Sequence, residues 1–192
     1  MKVEEFTWLK ESSYVVREGG LELEATPKSD YFVNPETEEA TLSAPFLYHE
    51  VEGDFVFRAK VSHGFTSIYD ACVLLAYDHE RLWAKACFEL SDLGTHNVVS
   101  VMTNGVSDDA NNVCVEGNEV WLQLARKGSL FAVHYSLDGE RFQMARLTRL
   151  PMRECIKVGF EAQSPIGEGG KRVFEDIVLE CRTLHDIRDG NF

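Results

Sequence analysis

The sequence predicts an all-β protein, two antiparallel sheets packed face to face as a jelly-roll sandwich. Three observations carry this. Apolar and polar residues alternate with period two in many short runs, and turn residues separate these runs about every eight to twelve positions. No amphipathic pattern of helical period extends over ten residues.

In chain order, 14–18 reads as the first strand, followed by a run in which Leu21, Leu23 and Ala25 alternate with Glu22 and Glu24. A strand at 46–51 leads, through Gly53-Asp54, to Phe55, Phe57, Ala59 and Val61 alternating with Val56, Arg58 and Lys60. Residues 71–77 and 82–90 form two strands around an acidic turn, and 97–103 follows. The strands at 119–126 and 130–136 are separated by Lys127-Gly128, and 141–147 comes next. Asp138-Gly139 supplies the positive φ of a tight hairpin turn before that strand. Strands at 155–163 and 172–180 complete the set; 34–43 and 104–118 are the longest polar loops. With no repeat, linker or break in composition, residues 1–192 are expected to form one domain.

Composition narrows the function classes. A hydrophobic fraction of 44% suits a globular core. Nineteen basic against 32 acidic residues give a net charge of −13, a field that repels nucleic acid and anionic membrane surfaces. The N-terminus, MKVEEFTWLKESS, lacks the apolar run of a secretory signal, and no segment suits a membrane-spanning helix. The five cysteines show no zinc spacing and suggest a reducing, cytoplasmic setting. The six histidines are scattered, and Ser107–Asn112 (SDDANN) lacks the spacing of a calcium loop. No metal or cofactor is therefore expected, and phosphate-binding loops and nucleophile elbows are absent as well.

The stretch from Ile68 to Leu90 carries the most functional information. Trp83, Lys85, Cys87 and Glu89 share one parity; Ala84, Ala86, Phe88 and Leu90 share the other. The second set suits a core, whereas charges in the first set suggest a binding face, because burying unpaired charge is costly. Trp121 and Tyr135 are further aromatic candidates, with spacings better suited to core packing.

Five stretches together resemble the YesU-like proteins, uncharacterised domains that include a fungal protein named for regulation of enolase. They are Ser29-Asp30-Tyr31-Phe32; Gly53-Asp54-Phe55; Tyr69-Asp70 through Asp78, Trp83, Lys85 and Glu89; Asn97 to Asp108; and Tyr135-Ser136 with Asp138-Gly139 to Ser164-Pro165. The resemblance implies a concanavalin A-like lectin/glucanase fold with one curved sheet forming a concave groove, where such proteins often bind or cleave glycans. This chain has Asp109 where the family often has a Trp after Ser107-Asp108, and so lacks one sugar-stacking ring.

The expected function is a carbohydrate-binding or carbohydrate-processing accessory protein with a concave-face groove. Asp70 and Glu89 would accept bonds from sugar hydroxyls, Lys85 would donate or hold a sugar acid's carboxylate, and Trp83 would stack; His134 and Arg146 are weaker additions. The alternative is a glycoside- or sugar-acid-acting enzyme with Glu89 as acid or base and Asp70 or Glu161 as second carboxyl. A lysine among the acids argues against a conventional glucanase. A regulatory scaffold without a small ligand is the third reading. Exposed edge strands would permit a homodimer.

Overall fold

The structure, a computed structural model, describes residues 5–191; the reading of the N-terminus rests partly on residues 1–4, outside that range. The chain opens with β1 (Thr7–Lys10), β2 (Tyr14–Arg17), β3 (Gly20–Ala25), β4 (Tyr31–Val33), β5 (Ala40–Leu42) and β6 (Phe46–Glu52). Then come β7 (Phe55–His63), β8 (Ala71–His79), β9 (Leu82–Leu90), β10 (His96–Asn104) and β11 (Val106–Cys114). The last five are β12 (Glu119–Lys127), β13 (Leu130–Ser136), β14 (Gln143–Arg149), β15 (Cys155–Gln163) and β16 (Gly170–Glu180).

These make an antiparallel β-sandwich. One seven-stranded sheet runs β1-β6-β15-β8-β9-β10-β11, the other β14-β13-β12-β7-β16-β3-β2, and β4-β5 stands apart as a two-stranded ribbon. Alternation explains the layers. Leu21, Leu23, Phe55, Phe57, Leu122, Leu124, Phe131 and Phe174 of the second sheet meet Leu74, Ala86, Phe88, Val98 and Phe160 of the first in a dry core. Burial of this apolar area is the main stabilising term.

Two expectations are corrected. The 104–118 segment, read as a polar loop, contains β11, an edge strand paired with β10 from Asn97↔Cys114 to Asn104↔Val106. Its polar residues occupy a sheet edge, with Asp108 bonded to Arg146 and Asn111 to Asp92, and SDDANN lies within that strand. Asp138-Gly139 is not a two-residue turn: only Gly139 has positive φ (78°), and residues 137–142 form a longer loop. There the Asp138 carboxylate accepts bonds from Ser136 Oγ at 2.8 Å, Glu140 N at 2.8 Å and Arg141 N at 2.9 Å, which hold its pKa down to about 2.

Among the described residues no helix is long and apolar enough to cross a membrane.

Candidate functional site

The outer face of the first sheet is not an open groove. A second apolar cluster lies on it: Phe46, Val73, Leu75, Tyr77, Trp83, Cys87, Val99 and Val101 of the sheet pack against Tyr31, Val33 and Ala44, brought over by the 30–45 segment. Trp83 is fully buried there, edge-on to Tyr31 at 6.1 Å and stacked on Tyr77 at 6.1 Å. The ribbon is tied down at both ends. Ser29 bridges to Ser164, and Val33 N donates to Ser107 Oγ at 2.9 Å.

Lys85 lies beside this cluster, fully buried. Its Nζ donates to Asp30 Oδ1 at 3.1 Å, the Tyr31 carbonyl at 3.1 Å and Gln163 Oε1 at 2.6 Å. An ammonium has three protons, and these acceptors use all of them. Glu161 Oε2 stands 3.6 Å away, and neither oxygen of that buried carboxyl accepts a hydrogen bond. Burial works against the charge on Lys85, but Asp30 and Glu161 outweigh it and raise the ammonium's pKa. Burial likewise pushes Glu161 up to about 8. We take Asp30 as the counter-ion of Lys85 and Glu161 as the neutral partner at pH 7, because Asp30 receives a hydrogen bond from the ammonium and Glu161 does not.

Where the ribbon stops short, a cavity of about 340 Å³ opens onto this network. Strand register builds its floor: Lys85 pairs across to Val101, and Val101 to Asp109, so the three share one face of neighbouring strands. Glu89 pairs with Ala71, which pairs with Gln163 on the next strand. Asp30, Phe32 and Tyr69 complete the walls with Pro165 and Ile166. Gln163 Nε2 donates to the Tyr69 carbonyl at 2.9 Å and to Glu89 Oε2 at 3.3 Å. Tyr69 adopts φ = 69°, a costly conformation for an aromatic residue, at the cavity wall. Burial, then the charge of Asp109, pushes Glu89 up to about 8. Asp109, at the rim, is raised as well, chiefly by desolvation with smaller contributions from Asp30 and Asp92, while Lys85 and the Ala110 backbone act in the other direction.

The predicted residues divide. Lys85 and Glu89 meet at the cavity. Asp70 does not: its parity is that of Cys72 and Leu74, so it points between the sheets, where it pairs with Arg172 Nη2 at 3.2 Å. Its oxygens also accept bonds from Thr66, Ser67 N and Ser164. Trp83 is packed beneath the ribbon and offers no exposed ring. His134 sits on the outer face of the other sheet, bonded to Gln123 and the Ile187 carbonyl. Arg146 bridges from β14 to Asp108 at 2.6 Å, on the side of β11 away from Asp109. Sequence reasoning passed over Phe32, Gln163 and Tyr69 as lining residues. The signal available was that Asp30, Tyr69 and Pro165 fall in separate stretches of the family resemblance.

Comparison with known proteins follows this geometry. Residues 8–181 match a family described as "Protein of unknown function (DUF1349)". A Saccharomyces cerevisiae protein described as functionally unknown is 27% identical, with TM-score 0.86, over 95% of this chain and 100% of that one. The carbohydrate-binding module CBM66 from Bacillus subtilis aligns at TM-score 0.58 and 10% identity over 92% of this chain and 95% of the module. The GH43 BlXynB protein from Bacillus licheniformis aligns at 0.66 and 15% identity, over 85% of this chain but 32% of its own length. Those last two likenesses concern the fold alone. No curated protein matches.

Proposed function

The chain belongs to the DUF1349 family, and from that premise we propose that it binds a carbohydrate in the cavity beside the β4-β5 ribbon. One observation carries the reading. The cavity joins partly exposed aromatic surface, from Phe32 and Tyr69, to carboxyl oxygens of Asp30, Glu89 and Asp109. Apolar ring faces with surrounding hydroxyls suit that combination. Its volume lies in the range of small-molecule sites. A module named for carbohydrate binding shares this fold, as does 36% of a GH43 glycoside hydrolase chain, which supports the ligand class by analogy only.

The roles differ from those expected of the sequence. Lys85 has no proton left for a sugar acid's carboxylate, so we assign it to positioning Asp30 and Gln163. Stacking passes from Trp83 to Phe32 and Tyr69.

Thermal shift and calorimetry with neutral oligosaccharides test the proposal, since a ligand of the native state raises Tm by mass action. Tyr69→Ala and Asp109→Asn are expected to weaken binding about tenfold or more in folded protein. Unchanged affinity in both variants would remove the cavity from the site.

A catalytic reading is favoured by one feature: Glu89 holds its proton up to about 8 beside the acid Asp109, as a general acid needs. Under it, Glu89→Gln abolishes turnover of a bound glycoside. Absence of turnover by the unaltered protein on every oligosaccharide that binds leaves binding as the whole function.

A further inference from the structure

The polar groups of the cavity are strongly one-sided. Lys85 spends its three protons on Asp30, Tyr31 and Gln163, and Gln163 spends its amide protons on Tyr69 and Glu89. Apart from the Tyr69 hydroxyl and the acid proton of Glu89 itself, no side-chain N–H or O–H is left to serve a ligand. What remains is carboxyl oxygen. Asp30 Oδ2 and Glu89 Oε1 accept no hydrogen bond among the described residues, and no cation reaches the Asp109 carboxylate. Glu89 is 7% exposed and lines the cavity, and its free oxygen has no hydrogen-bond donor in the wall.

We propose that the sugar bound in this cavity carries an amine and docks as its ammonium against Glu89 and Asp109. The proposal rests on the sugar-binding reading and narrows its ligand class. Three acidic side chains line the cavity against one lysine, and that lysine's protons are spent inside the wall. An ammonium supplies hydrogen-bond donors to the free carboxyl oxygens, together with the charge that compensates them. A uronic acid would bring a further carboxylate toward Asp30, Glu89 and Asp109 and is disfavoured.

The protonation of Glu89 gives this a signature. In the empty protein the carboxyl keeps its proton at neutral pH. When an ammonium arrives the proton leaves for solvent and the carboxylate takes the ammonium's hydrogen bonds. Binding of an amino sugar therefore releases protons, whereas a neutral sugar, which favours neither form of Glu89 by charge, releases few.

The test is calorimetry at about pH 6.5, where aliphatic amines are charged, in two buffers of different ionisation enthalpy. The probes are matched trimers of glucose, glucosamine and N-acetylglucosamine, with ethanolamine as an amine without a sugar. The glucosamine trimer is expected to bind about tenfold or more tighter than the other two, with buffer-dependent heats that report proton release. Glu89→Gln is expected to lose the release, and Asp109→Asn to bring the affinity ratio toward one, each judged against a retained melting transition. If the glucose or N-acetylglucosamine trimer binds as tightly, or no proton is released, the amine inference fails and the sugar reading stands. If ethanolamine binds as tightly as the glucosamine trimer, the sugar reading fails and the ammonium site stands. If no probe binds, both fail.

Discussion

Lys85, Asp30 and Glu161 show how a few buried charges set the acid-base behaviour of this fold. Glu89 and Glu161 are both raised from an ordinary 4.5 to about 8, chiefly by burial. The native protein therefore holds protons that the unfolded chain has already lost. The stability this contributes is complete below about pH 4.5 and disappears as pH rises toward 8. Tm is expected to fall between pH 5 and 8, and Glu161→Gln to flatten that fall; a Tm that climbs across this window would contradict the assignment. Lys85→Met leaves Asp30 without its counter-charge and Gln163 Oε1 without its donor, and should cost roughly 3–5 kcal/mol in denaturant unfolding, as loss of one member of a buried pair does. A smaller loss on adding Asp30→Asn to Lys85→Met would identify Asp30 as the uncompensated charge. Parity alone finds Lys85 and Glu89, because a strand sorts its side chains without reference to the rest of the chain. It also sorts Asp70, which shares its side with Cys72 and so belongs between the sheets. Asp30, 55 residues before its lysine, comes into contact only through ribbon docking, which no local pattern encodes.

At the scale of elements, alternation makes a strand visible where one face is buried and hides it where neither is. Strands β7, β9 and β15 stand out in the sequence because apolar side chains recur at every second position. Strand β11 has the burial pattern of an edge and a composition that reads as loop, and β4 and β5 have three residues each, too few for a period. Close strand pairing also leaves little trace in hydropathy. Gly159 on β15 faces β6 so closely that a Cβ would lie 2.1 Å from the Leu47 carbonyl oxygen. Gly64, after β7, has open space within 4 Å and no positive φ. Gly159→Ala should lower Tm sharply, since backbone must move in the sheet carrying Glu161. Gly64→Ala should leave Tm unchanged or raise it, through up to about 1 kcal/mol of stability from reduced unfolded-state entropy. Equal effects at the two sites would mean that β6 and β15 are not paired in this register.

For the whole molecule, each outer face of the sandwich carries a segment from outside the two large sheets: the 30–45 segment with its β4-β5 ribbon lies on one, and residues 181–191 cross the other. Leu184 packs on Val56 and Ala125, Lys127 Nζ donates to the His185 carbonyl at 2.7 Å, and Gln123 Nε2 donates to the Gly190 carbonyl at 2.8 Å. His134 is buried beneath this strap, accepting at Nδ1 from Gln123 Nε2 at 3.1 Å and donating from Nε2 to the Ile187 carbonyl at 2.9 Å. Burial lowers its pKa and Arg58 adds to that, while Ile187 and Asp189 act in the other direction. A depressed imidazole favours folding at neutral pH, and the contribution is lost as pH falls through and below the ordinary value of about 6.5. Cutting the chain after Cys181 removes the cover but none of the β-strands. The shortened protein should keep its cooperative unfolding, with His134 titrating near its ordinary value when followed by NMR. An imidazole still depressed after the cut would mean that the sheet alone buries it. Loss of folding would make the strap a part of the sandwich's own stability, and the seven-stranded sheet beneath it incomplete without it.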